Sequence, residues 1–332
     1  MIIISYFNKK LNAGFKAPKD IINIFNNSKQ NKEVYLTPKK GLKIKLENLI
    51  KLIKEAFSKE IFLVQYPTIT KINIYKIYIS KKKIILLHDI DGLRQKNKSI
   101  LRREIRCFKN FEYIICHNNK MKEYLVEQGI DEKKIKVLEL FDYIVGENVD
   151  RVVKKDINNP IVVYAGNLVK DKSPFLYQVQ QEKINFQLNL YGVGIEKGLN
   201  EKMKYQGSYE PDILPNKLEG DLGLVWDGNF DESDENEGFK NYTKYNNPHK
   251  LSCYIAAGIP VIVWRKSAIV DLVDKYNIGY KISNIYDINN LDLSDYDEKL
   301  KNVQELSKKV RQGYFTQRVI NEILADIEKT KK

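Results

Sequence analysis

The hydrophobic positions of this sequence occur as short apolar runs that alternate with longer amphipathic stretches. Stretches such as Leu46–Phe57 and Leu101–Phe108 repeat their apolar residues with the 3.6-residue period of a helix. In the first half of the chain the apolar runs lie at Ile2–Ser5, Val34–Leu36, Ile61–Val64, Ile84–Leu87 and Tyr113–Cys116. Near-continuous apolar strands separated by helices predict a parallel sheet covered on both faces, which binds ligands at the carboxyl ends of its strands.

The same alternation restarts after a polar stretch at Phe141–Pro160, which we interpret as a linker. Four more strands are predicted at Ile161–Tyr164, Phe186–Tyr191, Leu222–Trp226 and Val261–Trp264. Further helices are predicted at Lys250–Ala257, Ala268–Tyr276, Glu298–Gln312 and Thr316–Glu328, the last two separated at Gly313. A chain of 332 residues exceeds one α/β core. We therefore expect an N-terminal Rossmann-like domain over residues 1–150, a second over residues 151–312, and a terminal helical segment over residues 313–332.

The sequence predicts a cytoplasmic protein and leaves open a position adjacent to the membrane. No run approaches the ~18 apolar residues that span a bilayer, and the apolar start Met1–Phe7 precedes its lysines, the reverse of a signal peptide. The three cysteines are scattered without the spacing of a zinc site or a disulfide framework.

Positive charge is concentrated in the first third of the chain. The net charge is +13, but residues 1–110 alone carry 25 basic against 8 acidic side chains. A segment with this excess of positive charge binds an anionic membrane face or an acidic partner, or it simply carries lysines on solvated helix faces. Nucleic acid is not expected as a partner, because no nucleic-acid-binding motif accompanies the lysines.

The most informative local feature is the segment Tyr245–Val263. Pro248 suits the first turn of a helix, and Asn246 or Asn247 can cap its N–H groups. The helix start carries partial positive charge and Lys250 adds a full one, a combination that binds a diphosphate. The alternative is an ordinary strand–helix–strand element with a solvated lysine.

A second feature is the end of the strand that begins at Ile161. Gly166 permits close approach of a ligand, and Asn167 can hydrogen-bond it. Lys170 and Lys172 follow as possible phosphate contacts. Further along, Tyr209 can stack on a nucleobase or serve only in packing.

In the first half of the chain, Gly14 follows the first strand and permits approach of backbone to a diphosphate. At the end of the Ile84–Leu87 strand, His88 or Asp89 is a candidate general base for an acceptor hydroxyl, or part of a satisfied turn. Asp89 and Asp91 have the spacing of a weak metal motif, and the acidic stretch Asp231–Glu237 lacks the pattern of a calcium loop. We therefore expect no metal and no other cofactor.

Taken together, these strings resemble the third glycosyltransferase of the pathway that glycosylates serine-rich-repeat adhesins in streptococci and lactobacilli, with glucosyl- and galactofuranosyl-type transferases of surface polysaccharides as kin. The Asn-x-Pro-His-Lys helix start and the Gly-Tyr-Phe-Thr string are the most specific matches. The matching segments are Asn12–Asp20, Gln65–Pro67, His88–Arg94, His117–Leu125, Ala165–Leu168, Leu224–Gly228, Tyr245–Val263 and Gly313–Thr316.

The resemblance implies an α/β GT-B fold: two facing Rossmann-like domains with a C-terminal helix that crosses back to the N-terminal domain. It implies transfer of glucose from a UDP-sugar, without a metal, to a GlcNAc on a Ser/Thr-rich polypeptide. It also implies a homotetramer and association with other transferases of the pathway. The implied nucleotide-sugar contacts are Gly14, Phe15, Lys16, Gly166, Asn167, Lys170, Lys172, Tyr209, Asp227, Asn246, Asn247 and Lys250.

Two departures from relatives affect these contacts. Phe15 stands where a small hydroxyl residue is common, and lysines follow Asn167 where arginine would give bidentate phosphate recognition. Three rival functions stay open: a capsular or surface polysaccharide transferase with a lipid-linked acceptor, a nucleotide-sugar epimerase, and a non-catalytic substrate-binding partner.

Overall fold

The structure is a computed structural model that describes residues 1–6, 13–26, 32–36, 42–56, 60–67, 83–146, 159–232 and 238–329. The chain divides into two compact units, one formed by Met1–Glu139 with Phe315–Lys332 and the other by Leu140–Tyr314. Across the described ranges, no helix has both the length and the apolar character needed to cross a membrane.

The first unit is built on a six-stranded parallel sheet with the spatial order β2-β1-β3-β4-β5-β6. Its strands are β1 (Ile2–Tyr6), β2 (Lys32–Leu36), β3 (Phe62–Tyr66), β4 (Lys83–Leu87), β5 (Tyr113–Cys116) and β6 (Ile135–Val137). Its helices are α1 (Lys16–Asn26), α2 (Leu42–Ala56), α3 (Asp91–Arg94), α4 (Lys98–Phe108) and α5 (Asn119–Glu127). Every residue of β3 and β4 is buried, as expected of central strands covered on both faces.

The second unit holds another six-stranded parallel sheet, with the order β12-β11-β10-β7-β8-β9. Its strands are β7 (Ile161–Asn167), β8 (Gln187–Val193), β9 (Met203–Gly207), β10 (Leu222–Val225), β11 (Val261–Trp264) and β12 (Gly279–Ile282). Its helices are α6 (Phe175–Gln178), α7 (Gly238–Tyr242), α8 (His249–Ala256), α9 (Val270–Tyr276) and α10 (Tyr296–Arg311).

The last helix, α11 (Tyr314–Lys329), follows α10 after a break at Gly313, whose φ of 79° is in the left-handed region. Lys136 of β6 pairs with Asp326 of α11 at 2.7 Å, and Arg318 donates to the carbonyl of Leu138 at 2.9 Å. These contacts hold α11 against the first unit, beside the edge strand β6.

The predicted linker does not begin at Phe141. Phe141 and Tyr143 are buried, and Tyr143 donates its N–H to the carbonyl of Val310 and its hydroxyl to that of Pro211. Because these aromatic side chains pack inside the second unit, the chain passes between units at Glu139–Leu140 rather than at residue 150. Residues 147–158 of the predicted linker lie outside the described ranges.

Candidate active site

The sheet of the second unit has its topological switch point between β7 and β10. The sheet continues through β8 and β9 on one side of this pair and through β11 and β12 on the other. In open parallel sheets a ligand crevice forms at the carboxyl ends of two such strands. Here those ends carry Gly166 and Asn167 of β7, with Trp226 and Asp227 following β10.

Helix α8 is anchored over these strand ends by Tyr254. The Tyr254 hydroxyl accepts the N–H of Ala165 at 2.7 Å and donates to the carbonyl of Leu224 at 3.2 Å. The buried ring lies so close to Gly223 of β10 that a Cβ there would come within 2.5 Å of it. The absence of a side chain at Gly223 therefore lets α8 approach the sheet.

Lys250, in the first turn of α8, is a mostly buried cation at the switch point. Its Nζ lies 2.9 Å from Asp227 Oδ1, 2.9 Å from the carbonyl of Trp226 and 3.3 Å from the hydroxyl of Tyr164. Burial disfavours the charge, but Asp227 and Tyr164 outweigh it and raise the pKa of Lys250 above its ordinary value. With 12% of its side chain exposed, Lys250 is not the solvated lysine of the alternative interpretation.

The start of α8 differs in detail from the prediction. Pro248 is the N-cap itself, with φ −62° and ψ 133°, and no side chain caps the helix. The predicted cap by Asn246 or Asn247 is therefore wrong, because the extended Pro248 already occupies that position. Asn247 is buried, and the buried Oδ1 of Asn246 has no hydrogen-bond partner within the described parts of the chain.

The loop after β10 is organised by a buried lysine, Lys240. Its ammonium lies 4.3 Å from the centroid of the Trp226 ring and 5.3 Å from that of Trp264, and it donates to two loop carbonyls. The Trp226 indole donates to one of these, the carbonyl of Asn229, at 2.7 Å. These contacts fold the loop back beside Asp227. Sequence reasoning missed Lys240, because a lysine next to an acidic stretch is usually solvated.

The acidic stretch Asp231–Glu237 is not wholly a surface loop. Glu232 pairs with Arg265 and Lys266 at 3.0 Å each, and Arg265 holds the pKa of the Glu232 carboxyl at about 2. Residues 233–237 lie outside the described ranges.

The predicted contacts at the end of β7 are placed at the same sheet edge. Asn167 accepts the N–H of Val169 at 3.0 Å, which forms a tight turn, and both Lys170 and Lys172 are exposed after it. A Cβ on Gly166 would meet only ordinary contacts, so the protein itself leaves room there. These residues surround the switch point that Lys250 occupies.

Tyr209 stands apart from this cluster. It follows β9, with 38% of its surface exposed, and its hydroxyl donates to the carbonyl of Gln206 at 3.1 Å. β9 lies two strands from β7, about 10 Å at ordinary strand spacing. The structure therefore places Tyr209 at the same end of the sheet but not in contact with Lys250.

In the first unit, Gln65 at the end of β3 joins two predicted site segments. Its Nε2 donates to the carbonyl of Pro18 in α1 at 3.1 Å, and its Oε1 lies 2.7 Å from Nε2 of His88, after β4. Since the Gln65 oxygen can only accept, His88 carries its proton on Nε2, and Nδ1 is the basic nitrogen of the neutral ring. Gln65 was not predicted as a site residue, although it opens one of the strings matching the family.

Asp89, the other predicted base, is ion-paired. Arg94 lies 3.0 Å from Asp89 and 2.8 Å from Asp91, so one guanidinium bridges both carboxylates of the weak metal motif and offsets one of their two negative charges. Over the described residues, no group of three or more His, Cys, Asp or Glu side chains is arranged to hold a metal ion.

The turn that contains Asp91 is held by the buried carboxyl of Glu104, a residue of α4. It accepts the N–H groups of Asp91 and Gly92 at 2.8 Å each and the hydroxyl of Tyr66 at 2.5 Å. Burial raises the pKa of the Glu104 carboxyl. Sequence reasoning did not identify Glu104, because it lies among exposed arginines of α4.

His117, at the end of β5, is structural. It is buried, its Nε2 donates to the carbonyl of Leu87 at 2.9 Å, and burial lowers its pKa to about 4. Asn118 caps α5 by accepting the N–H of Met121.

The segment after β1 is only partly as predicted. Gly14 is exposed and Phe15 half-buried in a short 3-10 turn before α1. Lys16, predicted to contact the nucleotide, is instead buried in an ion pair with Asp20 at 2.7 Å. The i,i+4 spacing of the two residues along α1 allows this pairing. Asn12 lies outside the described ranges.

Two units, each with a six-stranded parallel sheet covered by helices, and a terminal helix on the first unit have the elements of the GT-B fold. Solved structures share the fold over nearly their whole length. Anabaena HepE in complex with UDP matches with a TM-score of 0.65 and 13% identity, over 99% of both chains. The lipopolysaccharide outer core galactosyltransferase WaaB matches with a TM-score of 0.64 and 14% identity, over 98% of this chain and 99% of that one.

The sequence itself narrows the class. Residues 1–140 match the glucosyltransferase 3-like N-terminal domain, and residues 162–323 match the glucosyltransferase 3-like C-terminal domain. The chain belongs to the glucosyltransferase 3-like family of glycosyltransferases.

Characterised relatives include two kinds of transferase. The beta-1,6-galactofuranosyltransferase WbbI of Escherichia coli (strain K12) is 29% identical over 97% of this chain and 99% of its own. Glucosyltransferase 3 of Streptococcus gordonii is 24% identical over 81% of this chain and 80% of its own. Glucosyltransferase 3 of Streptococcus parasanguinis is 26% identical over 76% of this chain and 72% of its own.

Proposed function

We propose that this enzyme transfers glucose from a UDP-sugar to a GlcNAc already O-linked to a serine-rich-repeat adhesin, and that it needs no metal ion. The observation that carries the donor part is the mostly buried Lys250 cation at the start of α8, at the switch point of the second sheet. The glucosyltransferase 3-like family match supports glucose as the transferred sugar. The acceptor is proposed from the sequence resemblance alone.

On the donor side, departure of UDP places negative charge on the β-phosphate. We assign Lys250 and the first N–H groups of α8 to stabilise that charge, since fixed cations and helix N-termini bind phosphates. Asp227 acts on the ligand through Lys250, by holding its ammonium in place. The other assigned contacts to the nucleotide-sugar are Gly166, Asn167, Lys170, Lys172, Tyr209, Asn246 and Asn247.

On the acceptor side, we assign proton removal to His88. Gln65 fixes its Nε2, which leaves Nδ1 as the basic nitrogen of the ring. Asp89 is held by Arg94 and takes a positioning role. Gly14 and Phe15 of the first unit stay predicted contacts to the nucleotide-sugar, whereas Lys16 is paired with Asp20.

We propose that the reaction needs no metal ion because of the charges already present at the site. Asp89 and Asp91 are both paired with the Arg94 guanidinium, and Lys250 supplies at the leaving diphosphate the positive charge a metal would otherwise supply. A chelator separates the possibilities, because a metal-dependent transferase loses turnover in EDTA.

The test begins with ligand-induced thermal stabilisation by UDP, UDP-glucose, UDP-galactose, UDP-GlcNAc, GDP and CMP, with and without EDTA. Ligands that bind only the folded protein raise its melting temperature. We expect a shift with uridine nucleotides that survives EDTA, followed by UDP release that depends on a GlcNAc-bearing serine-rich peptide. UDP release at the same rate without any acceptor would favour an epimerase, and no shift with any nucleotide would favour a non-catalytic partner.

A second candidate function is galactofuranosyl transfer to a surface polysaccharide. It is favoured by the similarity to WbbI, which is higher in identity and covers more of the chain than that to either streptococcal protein. The same assay separates the two functions. Turnover of UDP-galactofuranose with a polysaccharide or lipid-linked acceptor, and none of UDP-glucose with the glycopeptide, would replace the first proposal.

We further propose a cytoplasmic homotetramer that associates with other transferases of its pathway, an expectation that rests on the family. Light scattering coupled to size-exclusion chromatography measures the assembly. A mass four times the 38.9 kDa of the chain supports a tetramer, and a monomer mass contradicts it.

A further inference from the structure

Helices α4 and α5 of the first unit border a groove whose lining includes none of the residues assigned to the candidate active site. It has a volume of about 700 Å³. We call it the α4–α5 groove; it is lined by Lys98, Leu101, Arg102, Ile105, Arg106, Lys109, Tyr124 and Gln128. Leu101, Ile105 and Tyr124 are at least half-buried, whereas the four basic side chains are exposed. The groove therefore combines an apolar floor with a cationic rim.

The positive charge of this rim is not balanced locally. Throughout the described ranges, none of the four basic rim side chains forms an ion pair with a carboxylate. The acid of α4, Glu104, is buried and turned toward Tyr66. By contrast, Lys120 and Lys122 of α5, outside the groove, are paired with Glu123 and Glu132. The groove is thus a local concentration of unpaired cations.

We propose that the α4–α5 groove docks this protein on a bilayer that contains anionic phospholipid. The guanidinium groups of Arg102 and Arg106 bind lipid phosphates, for which their planar forked geometry is suited. Their aliphatic stems lie along the apolar floor, and Leu101 and Tyr124 face the boundary between headgroups and acyl chains. This is how interfacial helices divide charged and apolar faces at a membrane surface.

The composition of the groove favours lipid over other anions. Single-stranded nucleic acid needs several aromatic side chains for stacking, and the groove offers only Tyr124. An acidic peptide would engage the rim and leave the apolar floor without a partner. The excess of 25 basic over 8 acidic side chains in residues 1–110 adds attraction to an anionic surface over a longer range.

The test is flotation of the full chain with vesicles of phosphatidylcholine, alone or with 30% phosphatidylglycerol. The groove variant is R102Q/R106Q, and the matched control is K197Q/K204Q, which removes the same charge from exposed sites of the second unit. Each cation near an anionic surface contributes about fivefold in partitioning, so the groove variant is expected to bind about 25-fold more weakly. Melting temperature and stabilisation by UDP verify that both variants are folded.

We expect binding that requires phosphatidylglycerol, weakens as salt rises from 0.05 to 0.5 M, drops in the groove variant and is unchanged in the control. Equal losses in both variants would show that net charge, not the groove, is responsible, and would overturn the proposal. So would equal binding to vesicles without phosphatidylglycerol, or no binding to either. Groove-dependent binding to heparin or RNA without vesicle binding would overturn it in favour of a polyanion.

Discussion

Replacing Gly223 by alanine is expected to destabilise the second unit by about 3 kcal/mol. The new Cβ would lie 2.5 Å from Cγ of Tyr254, whereas ordinary contacts begin at 3.4 Å. The ring must therefore retreat by almost 1 Å, and overpacking of this kind costs about 1–3 kcal/mol. The same movement stretches the hydrogen bonds of the Tyr254 hydroxyl to Ala165 and Leu224, at about 1 kcal/mol each.

Urea unfolding followed by circular dichroism measures the loss in free energy of unfolding. In thermal unfolding, the same loss is expected to lower the melting temperature of a unit of this size by roughly 10 °C. Gly146→Ala is the control, because a Cβ there meets nothing within 4 Å. The Gly223→Ala substitution is then repeated in a Tyr254→Ala background, where the space is open and its cost should largely vanish. An unchanged cost of about 3 kcal/mol in that background would refute the clash as the cause.

Two further predictions concern buried groups that the sequence did not identify as such. Because burial lowers the folded-state pKa of His117 from 6.5 to about 4, its contribution is present above pH 6.5 and is lost as the pH falls toward 4. In urea titrations, the difference in free energy of unfolding between the wild type and His117→Gln should therefore shrink by an amount on the order of 3 kcal/mol from pH 7 to pH 4. A difference that stays constant with pH would contradict this prediction. Lys240→Met removes the cation between Trp226 and Trp264, so it should lower the free energy of unfolding in urea by about 2 kcal/mol and weaken UDP binding. Lys204→Met, at an exposed site, should change neither quantity. Unchanged stability of Lys240→Met would contradict the role assigned to Lys240.

Except for β2, the strands that the hydrophobic pattern predicted lie in the interior of their sheets. All nine predicted strands are present within a few residues. Within the described ranges it missed β6, β9 and β12, which are edge strands, and the remaining edge strand, β2, was predicted from an apolar run of only three residues, Val34–Leu36. An edge strand packs fewer apolar side chains, as the burial of only one residue in five along β9 illustrates. Whether an edge strand forms depends mainly on backbone hydrogen bonds to the neighbouring strand, and these leave little trace in the sequence.

Residue type and position in the sequence predicted some residues of the candidate site but not the contacts between them. Lys250 and Asp227 were both selected, but the ion pair between them was not foreseen. The buried ion pair of Lys16 with Asp20 was not predicted, and Glu104 and Lys240 were missed because charged residues are mostly exposed. A buried charge depends on partners that tertiary packing supplies, so spacing along the chain does not identify it.

The most direct test of the account is the affinity of UDP for Lys250→Ala, measured by isothermal titration calorimetry in EDTA. Removing a buried cation from a phosphate costs about 2 kcal/mol or more, so we expect the Kd for UDP to rise at least about 30-fold. Lys204→Ala serves as the exposed-site control, and circular dichroism verifies that both variants are folded. A folded Lys250→Ala protein that binds UDP as tightly as the wild type would contradict the placement of the diphosphate at α8.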